Sequence, residues 1–362
     1  MSKPRLLYIG LTSHRKTRST VFLQELLKTK YDVFCLDVDA PMEEISEARI
    51  ESLGSRQFDV LAVFQVWLDL DALKRSISYR HGVWFPMFDG MPADNHPFFS
   101  QITGFNIVSF SFFVHEKLLR LGYASHYVQY FPCPAEKPDF GEPDTVYLWQ
   151  RWSQINLSTV ETLFRGRRIA KIHLHKVLDP GYEFTGIPAS LADRVEVSTW
   201  YDTRAGMQAD QRKYAYYLAP RLYEGIGMGF LEAMATGKCV IAANYPTANE
   251  YIEHGVNGLL FDERHLQPIQ HELALGEMQR NAYDSCRIGY QRWLKRRWAI
   301  LDWCDCPIPV RPCAGVEGLS DISKFKTRDA ARLVIWRVAR RTFMLFPHPI
   351  RLFVNRLVGR AR

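Results

Sequence analysis

The sequence predicts an α/β protein: two doubly wound domains in tandem that face a cleft, followed by a basic helical C-terminal extension. Three observations carry this. Short apolar runs alternate with helical patterns over the first 131 residues. A proline-rich break follows, and the alternation then restarts. Near the C-terminus the composition turns strongly basic.

In the first unit, "RLLYIG" (5–10), "YDVFCLD" (31–37), "FDVLAVF" (58–64), "VWFPMF" (83–88), "NIVSFS" (106–111) and "HYVQYF" (126–131) read as strands. Several are nearly continuous apolar runs, as strands covered on both faces of a parallel sheet are. "STVFLQELLKTK" and "SFFVHEKLLRLG" lie between them as helices, the second stopped by Gly122. Strand–helix alternation of this kind implies a Rossmann-like, doubly wound parallel sheet. "PCPAEKPDFGEPD" (132–144) carries four prolines and one glycine and reads as a linker. The second unit restarts with "TVYLWQ" (145–150), "RIAKIHL" (168–174), "RVEVST" (194–199), "YAYYLAP" (214–220), "CVIAA" (239–243) and "NGLLFD" (257–262). Helix follows from Leu266 to about Trp303, and "CPIPVRPCAG" breaks it. The expected organisation is therefore 1–131, a linker at 132–144, 145–303, and a tail at 304–362.

Composition narrows the function. The chain has 362 residues, 47% of them hydrophobic, enough for two cores. The net charge is +7, but residues 321–362 alone carry +9 and the remainder −2. A uniformly basic groove for nucleic acid is thus not what the composition shows, and no nucleic-acid partner is expected. Seven cysteines, an odd number spread along the chain, fit a reduced cytosolic protein. Cys304, Cys306 and Cys313 cluster, but no fourth ligand stands at zinc spacing. The opening "MSKPRLLYIG" has too short an apolar run for a signal peptide. The longest uncharged stretch, 95–114, is interrupted by polar residues and reads as strand plus helix start, not as a membrane span.

The chemistry concentrates in "YEGIGMGFLEAMATGKCVIAANY", Tyr223 to Tyr245. Gly225, Gly227 and Gly229 let backbone amides approach a ligand with no Cβ in the way. "GFLEAMATG" reads as a short helix that stops at Gly237, and its free N–H groups favour phosphate. Glu232 is expected in the first turn. A carboxylate beside a diphosphate would repel it, so Glu232 should meet uncharged vicinal hydroxyls such as those of a ribose. Glu224, on the strand-to-loop turn, could do the same for a second polyol. A loop that is merely acidic at both ends is the competing reading. The dinucleotide pattern G-x-G-x-x-G fails, because Phe230 stands where it needs glycine.

The forty-residue stretch from this point, "YEGIGMGFLEAMATGKCVIAANYPTANEYIEHGVNGLLFD", resembles the C-terminal signature of family 4 glycosyltransferases with the GT-B fold. That signature runs glutamate, seven residues, glutamate, "EAMA-x-G", a glutamate-led helix and "G-x-x-G-x-L". Here these are Glu224, Glu232, Glu250 and "HGVNGLLFD". The resemblance implies an acceptor domain first and a nucleotide-sugar donor domain second. It implies that Glu224 contacts the donor sugar and Glu232 the nucleotide ribose. The backbone through Gly227, Met228, Gly229, Phe230 and Leu231 would contact sugar and phosphate. It also implies an arginine on the diphosphate, matched by Arg151, and a lysine five residues on, where this chain has Asn156. One cation is therefore missing. Where relatives have a histidine after the fourth strand, "VWFPMFDGM" offers Asp89, either as a base or acceptor-hydroxyl ligand or as a turn cap before Gly90. His81 and His96 are further candidates, while His115 falls in an amphipathic helix and reads as structural.

"GLTSHRKTRST" (10–20) replaces the usual glycine-rich acceptor loop with His14, Arg15 and Lys16, which could meet a phosphorylated acceptor. A solvated charged loop is the alternative. Asp37-Val38-Asp39 and Asp69-Leu70-Asp71 spell the D-x-D of metal-dependent transferases of another fold and read as chance; no metal and no cofactor are expected, the nucleotide sugar being a substrate. In the tail, "RDAARLVIWRVARRTFMLFPHPIRLFVNRLVGR" interleaves arginine with large apolar residues, as a helix on an anionic membrane does. Packing of that apolar side on the protein is the other reading. The expectation is a cytoplasmic, membrane-peripheral, retaining glycosyltransferase that moves a sugar from a nucleotide donor to a glycan or lipid-linked acceptor. The alternatives are an inactive scaffold of a polysaccharide-assembly complex, favoured by Asn156, and an epimerase on the same fold.

Overall fold

The computed structural model describes residues 2–92, 96–271 and 274–306. The basic tail beyond Cys306, with Cys313 and the expected membrane-binding segment, lies outside them.

The first sheet holds β1 (Arg5–Leu11), β2 (Asp32–Val38), β3 (Gln57–Phe64), β4 (Ser78–Phe85), β5 (Phe105–Ser109) and β6 (Ser125–Tyr127) in the order β2-β1-β3-β4-β5-β6. The second holds β7 (Glu142–Gln150), β8 (Lys171–Lys176), β9 (Val195–Ser198), β10 (Tyr214–Leu218), β11 (Cys239–Ala243) and β12 (Leu259–Phe261) in the order β12-β11-β10-β7-β8-β9. All neighbouring strands are parallel. The helices are α1 (Ser13–Thr17), α2 (Val21–Lys30), α3 (Glu47–Glu51), α4 (Leu70–Ser76), α5 (Phe98–Gln101), α6 (Phe112–Arg120), α7 (Leu157–Leu163), α8 (Arg204–Arg212), α9 (Met228–Ala235), α10 (Leu275–Arg296) and α11 (Trp298–Asp305).

The apolar runs become strands because both faces are covered: every residue of β5, β10 and β11 is buried. Two expected strands end early. β4 stops at Phe85 because Pro86 has no N–H to continue the ladder, and a single 3-10 turn, Phe88–Gly90, follows. β6 is a three-residue edge strand, where 126–131 was expected. Conversely, β7 begins at Glu142, inside the proline-rich stretch.

The chain then returns to the first domain. α10 buries Met278, Ala282, Cys286, Gly289 and Trp293, a three-to-four-residue stripe. It packs on α9 and β11, and Trp293 near its C-terminal end meets Phe22, Phe110 and Tyr130. α11 docks on the first sheet: the Trp303 indole N–H donates to the Ile107 carbonyl at 3.0 Å, and the Asn106 amide donates to the Trp303 carbonyl at 2.6 Å. A second tie bridges the domains. Glu250 accepts from the Ser111 hydroxyl and the Phe112 N–H, both at 2.6 Å, and so caps α6 from the opposite domain. Among the described residues no helix is long and apolar enough to cross a membrane.

Candidate active site

Both sheets present their strand C-termini to one cleft, where ligands of doubly wound folds bind. A cavity of about 660 Å³ lies there, lined from the first domain by His14, Gln65 and Asp89 and from the second by Arg151, Glu224 and the 225–229 bend.

The bend is built around glycine. Gly227 is the N-cap of α9 with φ +82°, and a Cβ there would stand 1.8 Å from the Phe230 ring. It offers no capping side chain. The first N–H taken up inside the helix is that of Leu231, which donates to the Gly227 carbonyl at 3.0 Å. The N–H groups of Met228, Gly229 and Phe230 precede that bond and form the helix's open positive end. Because the helix starts at Met228, Glu232 is its fifth residue and lies in the second turn, not the first.

Expected site residues divide into two groups. Glu224, Glu232, Gly227, Met228, Gly229, Arg151, Asp89 and His14 all line the cavity. Asn156 does not. It is the N-cap of α7, where its side-chain oxygen accepts from the Ser158 and Thr159 N–H groups at 2.9 and 3.1 Å and its amide donates to the Ser153 carbonyl. Phe230 and Leu231 turn their side chains into the core, 1% and 0% exposed. Arg15 is largely exposed and pairs with Asp37, away from the cavity. The side chain of Lys16 is outside the described set.

The centre of the cleft holds residues that sequence reasoning missed. Arg221, on the turn after β10, is 17% exposed and meets three carboxylates: Asp179 at 2.7 Å, Asp89 at 3.2 Å and Glu224 at 3.5 Å. Asp179 also accepts from Arg151 (2.8 Å) and from the Trp152 indole (3.1 Å). Burial works against the Arg221 charge, but the three acids outweigh it and its pKa rises. On the other side, the Gln65 amide donates to Asp89 at 2.9 Å and its carbonyl oxygen meets His14 Nε2 at 2.8 Å. Asp89 is therefore engaged in the cleft and is not a simple turn cap. Burial pushes its carboxyl up to about 6, with Arg221 pulling it down and Glu224 pushing it up. Burial lowers the pKa of His14. Glu232 is raised by burial and pairs with Arg204 of α8. Such a displacement of acid pKa values in a cleft is the pattern of a functional site.

Residues 209–284 match the family described as glycosyl transferases group 1. That segment runs from the end of α8 through β10, the bend, α9, β11 and β12 into the first half of α10. No curated protein matches the chain. Solved structures do. Sucrose-phosphate synthase from Thermosynechococcus elongatus is 11% identical over 82% of this chain and 98% of its own, with a TM-score of 0.57. A glycosyltransferase from Rickettsia africae is 12% identical over 83% and 98%, at 0.54. HepE of Anabaena, solved with UDP and glucose, is 14% identical over 83% and 98%, at 0.50.

The fold is GT-B. The GT-B frame places the open end of α9 and the Arg221 hub on the facing edges of its two domains, and the group 1 match falls on the half that carries the bend. Arg221 had one local signal, its place three residues before Glu224 and directly after "YAYYLAP". Asp179 and Gln65 had none.

Proposed function

We propose that the chain is a retaining, metal-independent glycosyltransferase of the family 4 type, which moves a sugar from a nucleotide-sugar donor to a glycan or lipid-linked acceptor in surface polysaccharide or glycoconjugate synthesis. The observation that carries this reading is the uncapped N-terminus of α9 opening on the interdomain cavity, flanked by Glu224 and Glu232. The donor diphosphate lies against the Met228–Phe230 amides, where a helix end favours an anion. Arg151 faces it: Nε and Nη2 are held by Asp179, which leaves Nη1 for a phosphate oxygen as the leaving group gains charge. Glu224 grips the sugar being moved. Glu232 takes the ribose hydroxyls after release from Arg204. The acceptor enters from the first domain, past His14 and Asp89, and Asp89 holds an acceptor hydroxyl. Membrane contact through the basic tail belongs to the same proposal.

The test has two stages. Calorimetry of the full chain against UDP, GDP, ADP and dTDP should find one tight binder; no binding of any would favour the inactive scaffold, to which Asn156 in its capping role supplies no phosphate cation. Products formed from membranes mixed with the matching nucleotide sugars are then read by mass spectrometry. Glu224→Ala should lose at least about a hundredfold in transfer, the size seen when one transition-state contact is removed, while remaining folded. Full activity in that variant removes Glu224 from the reaction. Conversion of the nucleotide sugar without acceptor would mark an epimerase.

A further inference from the structure

The cleft contains an ion-pair hub that no motif assigns. Asp89 comes from the first domain, whereas Glu224 and Asp179 come from the second, and Arg221 touches all three. The approach is close: a Cβ at Gly225 would stand 2.8 Å from Asp89 Oδ1. Asp89 and Glu224 are each 13% exposed. Two carboxylates brought together in such a dry place repel each other unless a cation sits between them. Arg221 is anchored for that task, since its Nε and Nη2 are both held by Asp179 and only Nη1 reaches forward to Asp89 and Glu224.

We propose that Arg221 is the positioning residue that joins the two domains' carboxylates across the cleft, so that Asp89 and Glu224 form one polyol-binding pair only in the closed chain. The inference rests on the glycosyl-transfer reading for what the pair binds, but not for the coupling itself. An open cleft separates the acids and hydrates both; closure brings them within reach of one guanidinium. Arg221 thereby ties assembly of the transfer site to exclusion of water.

The pH dependence follows from linkage. Arg221, Glu224 and Arg151 face Asp89 from the second domain, with Tyr223 nearby, and Gln65 with His14 behind it faces Asp89 from the first. In the closed chain Asp89 takes a proton at about 6; hydrated in an open chain it returns to the ordinary range near 3.8. The closed form thus binds more protons between those values, and acid favours closure. Removing Arg221 removes the charge that keeps Asp89 ionised in the closed form. The closed form is then penalised more at neutral pH, and acid relieves it more.

Hydrogen exchange of the full chain, corrected for intrinsic rates, reads this without any nucleotide, so its failure is separate from failure of the transfer reading. At pH 7.5, Arg221→Gln should raise exchange at least about tenfold in residues 85–91 of the opposite domain as well as in 221–229, with β1 and β11 unchanged. At pH 5 the same variant should return to within about threefold of wild type. Arg221→Lys, which keeps the charge but loses the two-nitrogen grip on Asp179, should raise exchange at 85–91 less than Arg221→Gln does at pH 7.5, and Arg221→Gln combined with Asp89→Asn should lose the pH response. An effect of Arg221→Gln confined to 221–229, or equal at both pH values, overturns the proposal. If Arg221→Gln loosens the whole chain, wild type and Asp89→Asn decide: exchange at 85–91 must slow on acidification in the first and not in the second, and the reverse overturns it.

Discussion

α7 and α9 occupy matching places in the second domain and solve opposite problems. Each follows a central strand, β7 or β10, which are neighbours in the sheet, and each starts at the cleft edge. α7 closes its own N-terminus. Asn156 takes the Ser158 and Thr159 N–H groups, and the Thr159 hydroxyl takes the Asn156 N–H at 3.3 Å, a complete capping box. α9 begins with Gly227, which has no side chain to do this. The same position in a βα unit is thus self-capped or left open according to one residue. A filled cap stabilises the helix and removes its donors; an empty one leaves them for an anion. The missing lysine of the sequence reading is explained in the same terms, because position 156 is committed to the helix and not to the cleft.

The largest expected break in this contrast is Gly227→Ala. Alanine would have to hold φ +82° and place its Cβ 1.8 Å from the Phe230 ring. The left-handed conformation alone costs roughly 1–2 kcal/mol, and displacing a core ring that is 1% exposed adds a further overpacking penalty of about 1–3 kcal/mol. Chemical denaturation should register both. If the chain binds a nucleoside diphosphate as proposed, its affinity should fall at least about a hundredfold, since a loss of nearly 3 kcal/mol is two decades in Kd. Unchanged affinity would mean that the bend does not hold the phosphates.

The two regions also show what a sequence can reveal. The central strands were legible because burial on both faces writes continuous apolar runs, as in β5, β10 and β11. The acid–glycine bend was legible because its parts lie within nine residues, Glu224 to Glu232. Asn156 carried a readable sign as well: an Asn three residues before Thr159, ahead of an apolar run, is an N-cap pattern, and the resemblance to a lysine position obscured it. The hub was illegible for a different reason. Arg221 meets Asp179 across 42 positions and Asp89 across 132, between two domains. No local period encodes such a meeting; it exists only once two sheets face each other. The start of α9 shifted by one residue because Gly227 adopts the left-handed cap, and that moved Glu232 into the second turn.

A smaller effect is expected one residue into the open helix beyond Met228. Gly229→Ala improves helix propensity by about 0.8–1.0 kcal/mol, but its Cβ would lie 2.7 Å from the Tyr217 hydroxyl. Tyr217 is buried and cannot retreat freely. The two terms nearly cancel, so denaturation should show a change within about 1 kcal/mol. On the proposed function, binding should still weaken by about tenfold, near 1.4 kcal/mol, because the new methyl and the shifted hydroxyl would stand where the proposed diphosphate approaches. A variant that binds as tightly as wild type would place the phosphate farther from the helix axis than Gly229.

The smallest effect, and the sharpest control, lies at the closed helix. Asn156→Ala removes the side-chain oxygen that accepts two N–H groups and leaves them to water at a half-buried helix end. Loss of such a cap typically costs about 1 kcal/mol, within a range of 0.5–2, and urea denaturation should show it as a lower midpoint with the same slope. Nucleotide affinity should stay within about twofold, because Asn156 does not line the cavity. The pairing of outcomes is what matters: stability falls at the capped helix with binding intact, and binding falls at the uncapped helix even where stability holds. If Asn156→Ala instead weakened nucleotide binding tenfold, position 156 would be part of the donor site after all. The division of labour between the two helix ends would then be wrong.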